Sequence, residues 1–567
     1  MVISLTLTGC DNKNNIIKNI DFKEDESETV LKEEKPEYGG ELVLPLTTIK
    51  SLNPLLSENI SYYYFSKLIF ESLFELDNDM NVKNILAESY SIEDEGRIIN
   101  ISLRDDVFWH DGEKLTAEDV KFTIDVIKYS GNESAYGKLI MNGIRPFATS
   151  DLRHILDVKI NGDYNLQIVF DKSYSNALEV LTFPIIPKHN FTAGKNEKEY
   201  YINALAEDII PIGTGPYKMD GYEKLKTIKL KVNENWWKGK PYIETITGKM
   251  LDDDNLILTS FEAGQVDLAN TVSIDWEKYA QNDRVKMYEY IAQNYEFLAF
   301  NFTKEKFQGE SGASIRKAIA YGIDRQAIIQ KVYLGHAMQI DVPIHPNSWL
   351  VSEAANVYGY NKTLAKETLE KAGWNKVDGI YEDEDGNKLS ITLTVNNTNQ
   401  LRILAADIIA ENLNEIGIEV VKDYDSNIVE DLNEETINKE WEKYQDKIYK
   451  GNFDVALVGW QLSSIPDLSF AFHSSQIKNG SNFIKYNNER MDSLLIEAFS
   501  AQGRDTKIQA YKDLQNYIIE ELPYVSLYFR NKSLLVDKKV KGNIEPSFYN
   551  LYANIEEWYI PSEYYKK

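Results

Sequence analysis

Few residues in this sequence have the type and spacing that chemistry requires. Its six histidines are His110, His154, His189, His336, His345 and His473. None forms an H-E-x-x-H pair or a close cluster, so no transition-metal site is expected. Cys10 is the single cysteine, which excludes a disulfide framework and a cysteine-rich metal centre. The runs Asp252-Asp253-Asp254 and Glu556-Glu557 read as solvated faces of an acidic chain. A glycosidase would need two carboxylates at a separation that only a fold can set. There is no G-x-x-x-x-G-K-[ST] phosphate loop and no G-x-S-x-G elbow,. No catalytic residue, no cofactor and no enzymatic turnover are therefore expected. What remains suits recognition: Trp460, Ser463 and Asp467 in one stretch, and Asn397, Asn399 and Arg402 in another. An indole is a flat apolar wall, and a guanidinium is a planar fork for a carboxylate.

The elements around these residues place them at strand ends. Ile391, Leu393 and Val395 alternate as a strand, and polar Asn396 to Asn399 follow,. Leu401, Leu404, Ala405, Ile408, Leu413 and Ile416 then repeat at helical spacing, closed by Gly417,. Residues 418–421 and 453–458 read as two further strands, separated by a charged insertion at about 423–449. Such a βαβ unit gathers ligands outside the carboxyl ends of its strands, here 396–402 and 459–463. Elsewhere, residues 41–46 and 163–171 read as strands. Thr116 is placed to cap a helix whose apolar stripe is Val120, Ile124 and Ile127,. Prolines and glycines between Pro184 and Pro216 mark where the chain is expected to pass between domains,.

At the scale of the chain, 567 residues predict about two to four domains,. With 62 basic and 89 acidic residues the formal charge is −27, which excludes a nucleic-acid partner,. An apolar content of 43% supports large cores, and no run approaches the ~18 apolar residues of a membrane span,. Leu7-Thr8-Gly9-Cys10 resembles the end of a bacterial lipoprotein signal, which implies a lipid anchor on Cys10,. The nine residues before it lack the basic opening of that pattern. Residues 11–38 are polar and charged, a tether spanning roughly 30 Å at ~5–6 Å times the square root of its length.

Ordered motifs along the chain resemble the family 5 extracellular solute-binding proteins, the peptide- and nickel-type receptors of bacterial ABC importers. The strongest runs from Leu103-Arg104 through Phe108-Trp109-His110-Asp111-Gly112 to Leu115-Thr116-Ala117-Glu118-Asp119-Val120. Leu52-Asn53-Pro54, Gly213-Thr214-Gly215-Pro216-Tyr217 and Asn235-Trp236-Trp237 accompany it, as do Phe261-Glu262-Ala263-Gly264 and the segment from Arg316 to Arg325. Asn452-Phe453-Asp454 leading to Gly459-Trp460, then Tyr486-Asn487-Asn488, complete the series. His110 is read as a hydrogen-bonded scaffold residue.

The resemblance implies an α/β, two-lobed, type II periplasmic-binding-protein-like fold of the large peptide-receptor cluster, with an extra inserted domain. Carried onto this chain it gives a signal remnant and tether at 1–38, and a discontinuous first lobe at 39–64, 189–289 and 528–567. The inserted domain falls at 65–188 and the second lobe at 290–527. The implied function is that of a monomeric, lipid-anchored receptor outside the cell membrane, delivering oligopeptides to an ABC permease by closing around them. A nickel chelate or another small solute is the alternative ligand, and a surface peptide hydrolase or chaperone the alternative class. In peptide receptors of the family, an aspartate four residues beyond the Gly of Gly-Trp pairs with the peptide amine. Ser463 stands there in this chain, so either Asp467 substitutes or the ligand brings no free amine. Arg402 aligns with a position that faces a ligand carboxylate in oligopeptide receptors; the other reading is an exposed arginine at a helix start. Trp460 is implied as a cleft wall.

Overall fold

Alternation of large apolar residues decides the first strand: in Glu41–Thr47, Leu42, Leu44 and Leu46 are all fully buried,. That strand pairs in parallel with Thr245–Leu251, and Thr227–Val232 and Tyr217–Glu223 extend the sheet antiparallel. The computed structural model describes residues 35–565 except 58, 132, 135, 137–154, 193–195, 272–274 and 427–433. Cys10, the tether up to residue 34 and His154 lie outside the described residues. The described residues from Pro36 onward form one compact unit.

A second four-stranded sheet, Ala87–Glu93, Ile98–Leu103, Asn165–Phe170 and Ile155–Ile160, lies within 65–188. The Ala117–Ser130 helix packs beside it, opened by a reciprocal box between Thr116 and Asp119. His110 holds the scaffold. Its Nδ1 accepts from the Gly213 amide at 3.2 Å, and its Nε2 meets the Gly215 carbonyl at 3.1 Å. Gly213 has no room for a side chain, because a Cβ there would overlap the Ile69 carbonyl.

The largest sheet has seven strands. Its ordered path is Leu268–Thr271, Tyr524–Asp537, Val285–Phe300, Val455–Gln461, Ser390–Thr394 and Glu419–Asp423, with Ala337–Gln339 also paired to Tyr524–Asp537. Two of these strands are long, at 16 and 14 residues, and they pair antiparallel. One end of the pair packs in a core with the first two sheets, through Tyr290, Leu534 and Val536. The other end packs in a second core, through Tyr295, Phe297 and Phe529. The expected crossings at 289/290 and 527/528 fall inside these two strands. Between the two cores the register slips: Ile291 faces Asn531 and Tyr295 faces Phe529, so Ala292, Gln293 and Asn294 stand opposite Arg530,.

The βαβ unit forms as the sequence pattern predicts. Ser390–Thr394 pairs in parallel with both Glu419–Asp423 and Val455–Gln461. Between the first two runs the Gln400–Ile416 helix ends at Gly417 in the left-handed region. The charged insertion carries a helix, Glu434–Tyr449, that the sequence pattern does not announce. Among the described residues no helix is long and apolar enough to cross a membrane.

Candidate functional site

The carboxyl ends of the parallel strands bring Asn397, Asn399 and Arg402 to one rim. Asn399 caps the Gln400–Ile416 helix by accepting from the Arg402 amide at 3.1 Å,. Asn397 Oδ1 accepts from the Asp425 amide at 3.0 Å, tying the rim to the exit of the neighbouring strand. Both side-chain oxygens therefore shape backbone.

Arg402 turns inward. Its Nε donates to Glu296 Oε2 at 2.8 Å and its Nη2 to Oε1 at 3.2 Å, a two-point fork,. The side chains are 13% and 3% exposed respectively. Burial works against the guanidinium charge, but Glu296 more than offsets this and leaves Arg402 above its ordinary pKa,. The third group that the pair needs is an absent one: a Cβ at Gly459 would overlap Arg402 Nη2 and crowd Glu296. Tyr333 and Tyr528 close the cluster, with the Tyr528 hydroxyl donating to that of Tyr333 at 3.2 Å. Burial first, then the Glu296 charge, pushes Tyr333 up to about 12.

Trp460 lies on the opposite side of the sheet, because consecutive strand residues alternate and Gly459 faces Arg402. Its half-buried indole stacks on Phe297 at 6.3 Å and meets Phe470 edge-on at 5.4 Å and Phe483 at 5.8 Å. The loop that follows is folded by its own side chains. Exposed Ser463 accepts from the Ile465 amide at 3.1 Å, and Asp467 accepts from the Ser469 amide at 2.8 Å. Asp467 faces buried Tyr174 and Tyr511; burial raises both phenols, and the Asp467 charge adds to it. Ile465 is 5% exposed and belongs to the core of the first two sheets.

The structure thus brings Asn397, Asn399 and Arg402 to one rim, turns Trp460 to the opposite face of the sheet, and uses Ser463 and Asp467 to fold the loop that follows. Sequence reasoning missed Glu296, Tyr333 and Tyr528. Glu296 carried a usable signal: it is the one charge in the apolar run from Tyr295 to Phe300, and a buried carboxylate demands a cation,. Among the described residues no group of three histidine, cysteine or acidic side chains is arranged to hold a metal.

A pair of long antiparallel strands running through both cores, with a parallel βαβ unit beside it, is the architecture of a solute-binding class of protein. The family described as bacterial extracellular solute-binding proteins, family 5, middle region, matches residues 81–482. The chain belongs to that family, and its fold is the two-lobed α/β fold of type II binding proteins. It is 30% identical over 541 residues to the oligopeptide-binding protein AppA of Bacillus subtilis, covering 93% of this chain and 92% of that protein. The structure of that AppA with a nonapeptide matches at a TM-score of 0.62 and 28% identity, over 93% of this chain and 100% of the other. NikZ of Campylobacter jejuni with Ni(L-His) matches at 0.65 and 25% identity, over 91% and 99%.

Proposed function

We propose that this protein captures oligopeptides outside the cell and delivers them to the permease of an ABC importer, without cleaving them. The supporting observation is similarity along nearly the whole chain to an oligopeptide-binding protein, and to its structure with a nonapeptide bound. We assign the discontinuous first lobe to 39–64, 189–289 and 528–567, the inserted domain to 65–188 and the second lobe to 290–527. In this reading the paired strands Val285–Phe300 and Tyr524–Asp537 are the hinge, and closure follows because the solute binds the closed form better than the open one,. Cys10 would carry the lipid that holds a monomeric receptor at the membrane. A Ni(L-His)-type chelate is the second reading, supported by the match to NikZ.

Native mass spectrometry of the purified protein tests these readings together, since a copurified ligand reports its own mass. Peptide masses that exchange with added nonapeptides and remain intact on prolonged incubation are expected. Enzyme-dependent fragments would overturn the receptor reading in favour of a hydrolase, and a nickel-containing adduct would favour the second reading. Anchoring is checked separately by detergent-phase partitioning, which Cys10→Ala should abolish.

A further inference from the structure

Several buried cations in this protein are matched with acids. Arg402 has Glu296, Arg325 has Asp341, Lys507 has Glu179 and Lys539 has Asp267. Two half-buried cations on one face of a long strand have no such match among the described residues. The face of the Tyr524–Asp537 strand that presents Tyr528 to the Glu296–Arg402 cluster continues, by alternation, through Arg530 and Lys532,. Both are half-buried. Among the described residues neither has a carboxylate at ion-pair distance or a hydrogen-bond acceptor. The Arg530 guanidinium lies 5.6 Å from the centre of the Tyr333 ring, its one directed contact among the described residues.

Their position matters as much as their lack of partners. Arg530 is the residue opposite the three-residue slip between the two cores. Lys532 is one step further on, across from Tyr290, whose hydroxyl donates to Asn270 at 2.8 Å. The two charges therefore lie where one end of the strand pair gives way to the other. They also oppose each other. Burial first, then the Arg530 charge, holds Lys532 below the ordinary lysine value, and Asp254 counters this only from beyond ion-pair distance,. A chain with 89 acidic residues has no shortage of carboxylates to place there. Half-buried like charges without a partner are costly in the free protein, and an incoming anion removes that cost. Arg402 does not compete for it, because Glu296 fills its fork.

We propose that Arg530 and Lys532 receive a carboxylate of the bound solute, so that the protein prefers peptides presenting an acidic side chain or a free C-terminus at this point. This rests on the peptide reading above. The test uses three nonapeptide pools, all N-acetylated: one amidated with a glutamate, its glutamine counterpart also amidated, and the glutamine pool with a free C-terminus. Affinities are compared for wild type and for the Arg530→Gln/Lys532→Gln double variant.

One or both carboxylate-bearing pools should bind wild type at least tenfold more tightly than the neutral pool, and which one does so identifies the source of the carboxylate. The double variant should lose that preference, bind the neutral pool within threefold of wild type, and melt no lower. Equal affinities in wild type, or a preference that survives in the double variant, would overturn the proposal. Should the double variant fold poorly, Lys532→Met alone should cut the preference at least threefold, and no change would count against it. If no pool binds, the peptide reading fails by itself. Citrate then decides the carboxylate site: thermal stabilisation of wild type that is lost in the double variant supports it, and equal stabilisation sinks it.

Discussion

Glu296 and Arg402 form a pair whose members depend on each other. Removing one partner of a buried ion pair strands the other, at about 3–5 kcal/mol, whereas replacing both with apolar groups of similar volume is often neutral. Glu296→Ala should therefore destabilise the protein by about 3–5 kcal/mol in urea unfolding, and Glu296→Met/Arg402→Met should recover most of that loss. A single variant as stable as wild type would show that water reaches the pair. The placement of Arg402 at a helix start was legible in the sequence, because polar Asn396 to Asn399 separate the strand from the helical spacing that begins at Leu401. Its partner was not legible as a partner. Glu296 lies 106 positions away in sequence, and local periodicity carries no record of which distant strand lies beside a helix. Ser463 and Asp467 show the same limit: the sequence put them on a loop, but their use as caps for Ile465 and Ser469 depends on how that loop folds back.

Elements were more legible than contacts. Gly417, which closes a helical stripe, sits in the left-handed conformation expected of it,, and the βαβ unit follows from short runs of alternating apolar residues. The Glu434–Tyr449 helix was obscured by its charges, although Ile437, Trp441, Tyr444 and Ile448 recur at helical spacing within it,. The register slip in the long strand left no local signal, since it arises from how two distant strands align. His345 seals that slip. Its Nε2 donates to the Ile291 carbonyl at 3.2 Å, its ring lies 4.6 Å from Phe548, and burial pushes its pKa down to about 4. The folded protein then binds fewer protons than the unfolded chain between about pH 4 and 6.5. The stability linked to His345 is fully present above pH 6.5 and is lost as pH falls through 4, with about 1 kcal/mol gone by pH 5.5. Glu71 acts in the opposite sense. Burial raises it to about 7, so its contribution is present below pH 4.5 and is lost as pH rises through 7. Comparing His345→Gln with wild type separates the two: the variant should lose about 1 kcal/mol less between pH 7.5 and 5.5, and parallel pH profiles would refute the assignment.

At the scale of the molecule the question is what holds the proposed lobes in this arrangement. Residues of the proposed inserted domain meet the proposed second lobe through a built interface. Lys507 pairs with Glu179 at 2.7 Å, the two side chains being 7% and 10% exposed, and Lys507 also donates to the Ser175 carbonyl at 3.0 Å. The Ser175 amide donates to the Phe499 carbonyl at 2.7 Å, and Tyr174 lies 4.9 Å from the Phe499 ring. Ile465 adds an apolar plug from the loop after Trp460. If closure of the lobes forms this interface, its loss weakens the closed state alone, and ligand affinity falls by the same factor as the closed population. Lys507→Ala leaves Glu179 buried without its cation. A loss of 1–2 kcal/mol from the closed state corresponds to roughly a 5–30-fold change in the equilibrium. The ligand-free variant should then show a larger radius of gyration by small-angle scattering and release bound nonapeptide roughly 5–30 times faster. Glu179→Met/Lys507→Met should bring both measurements back toward wild type, because no stranded charge remains. A variant with lower thermal stability, an unchanged radius and unchanged release would mean that this interface is fixed in every state, and that the Val285–Phe300 and Tyr524–Asp537 strands bend without engaging it.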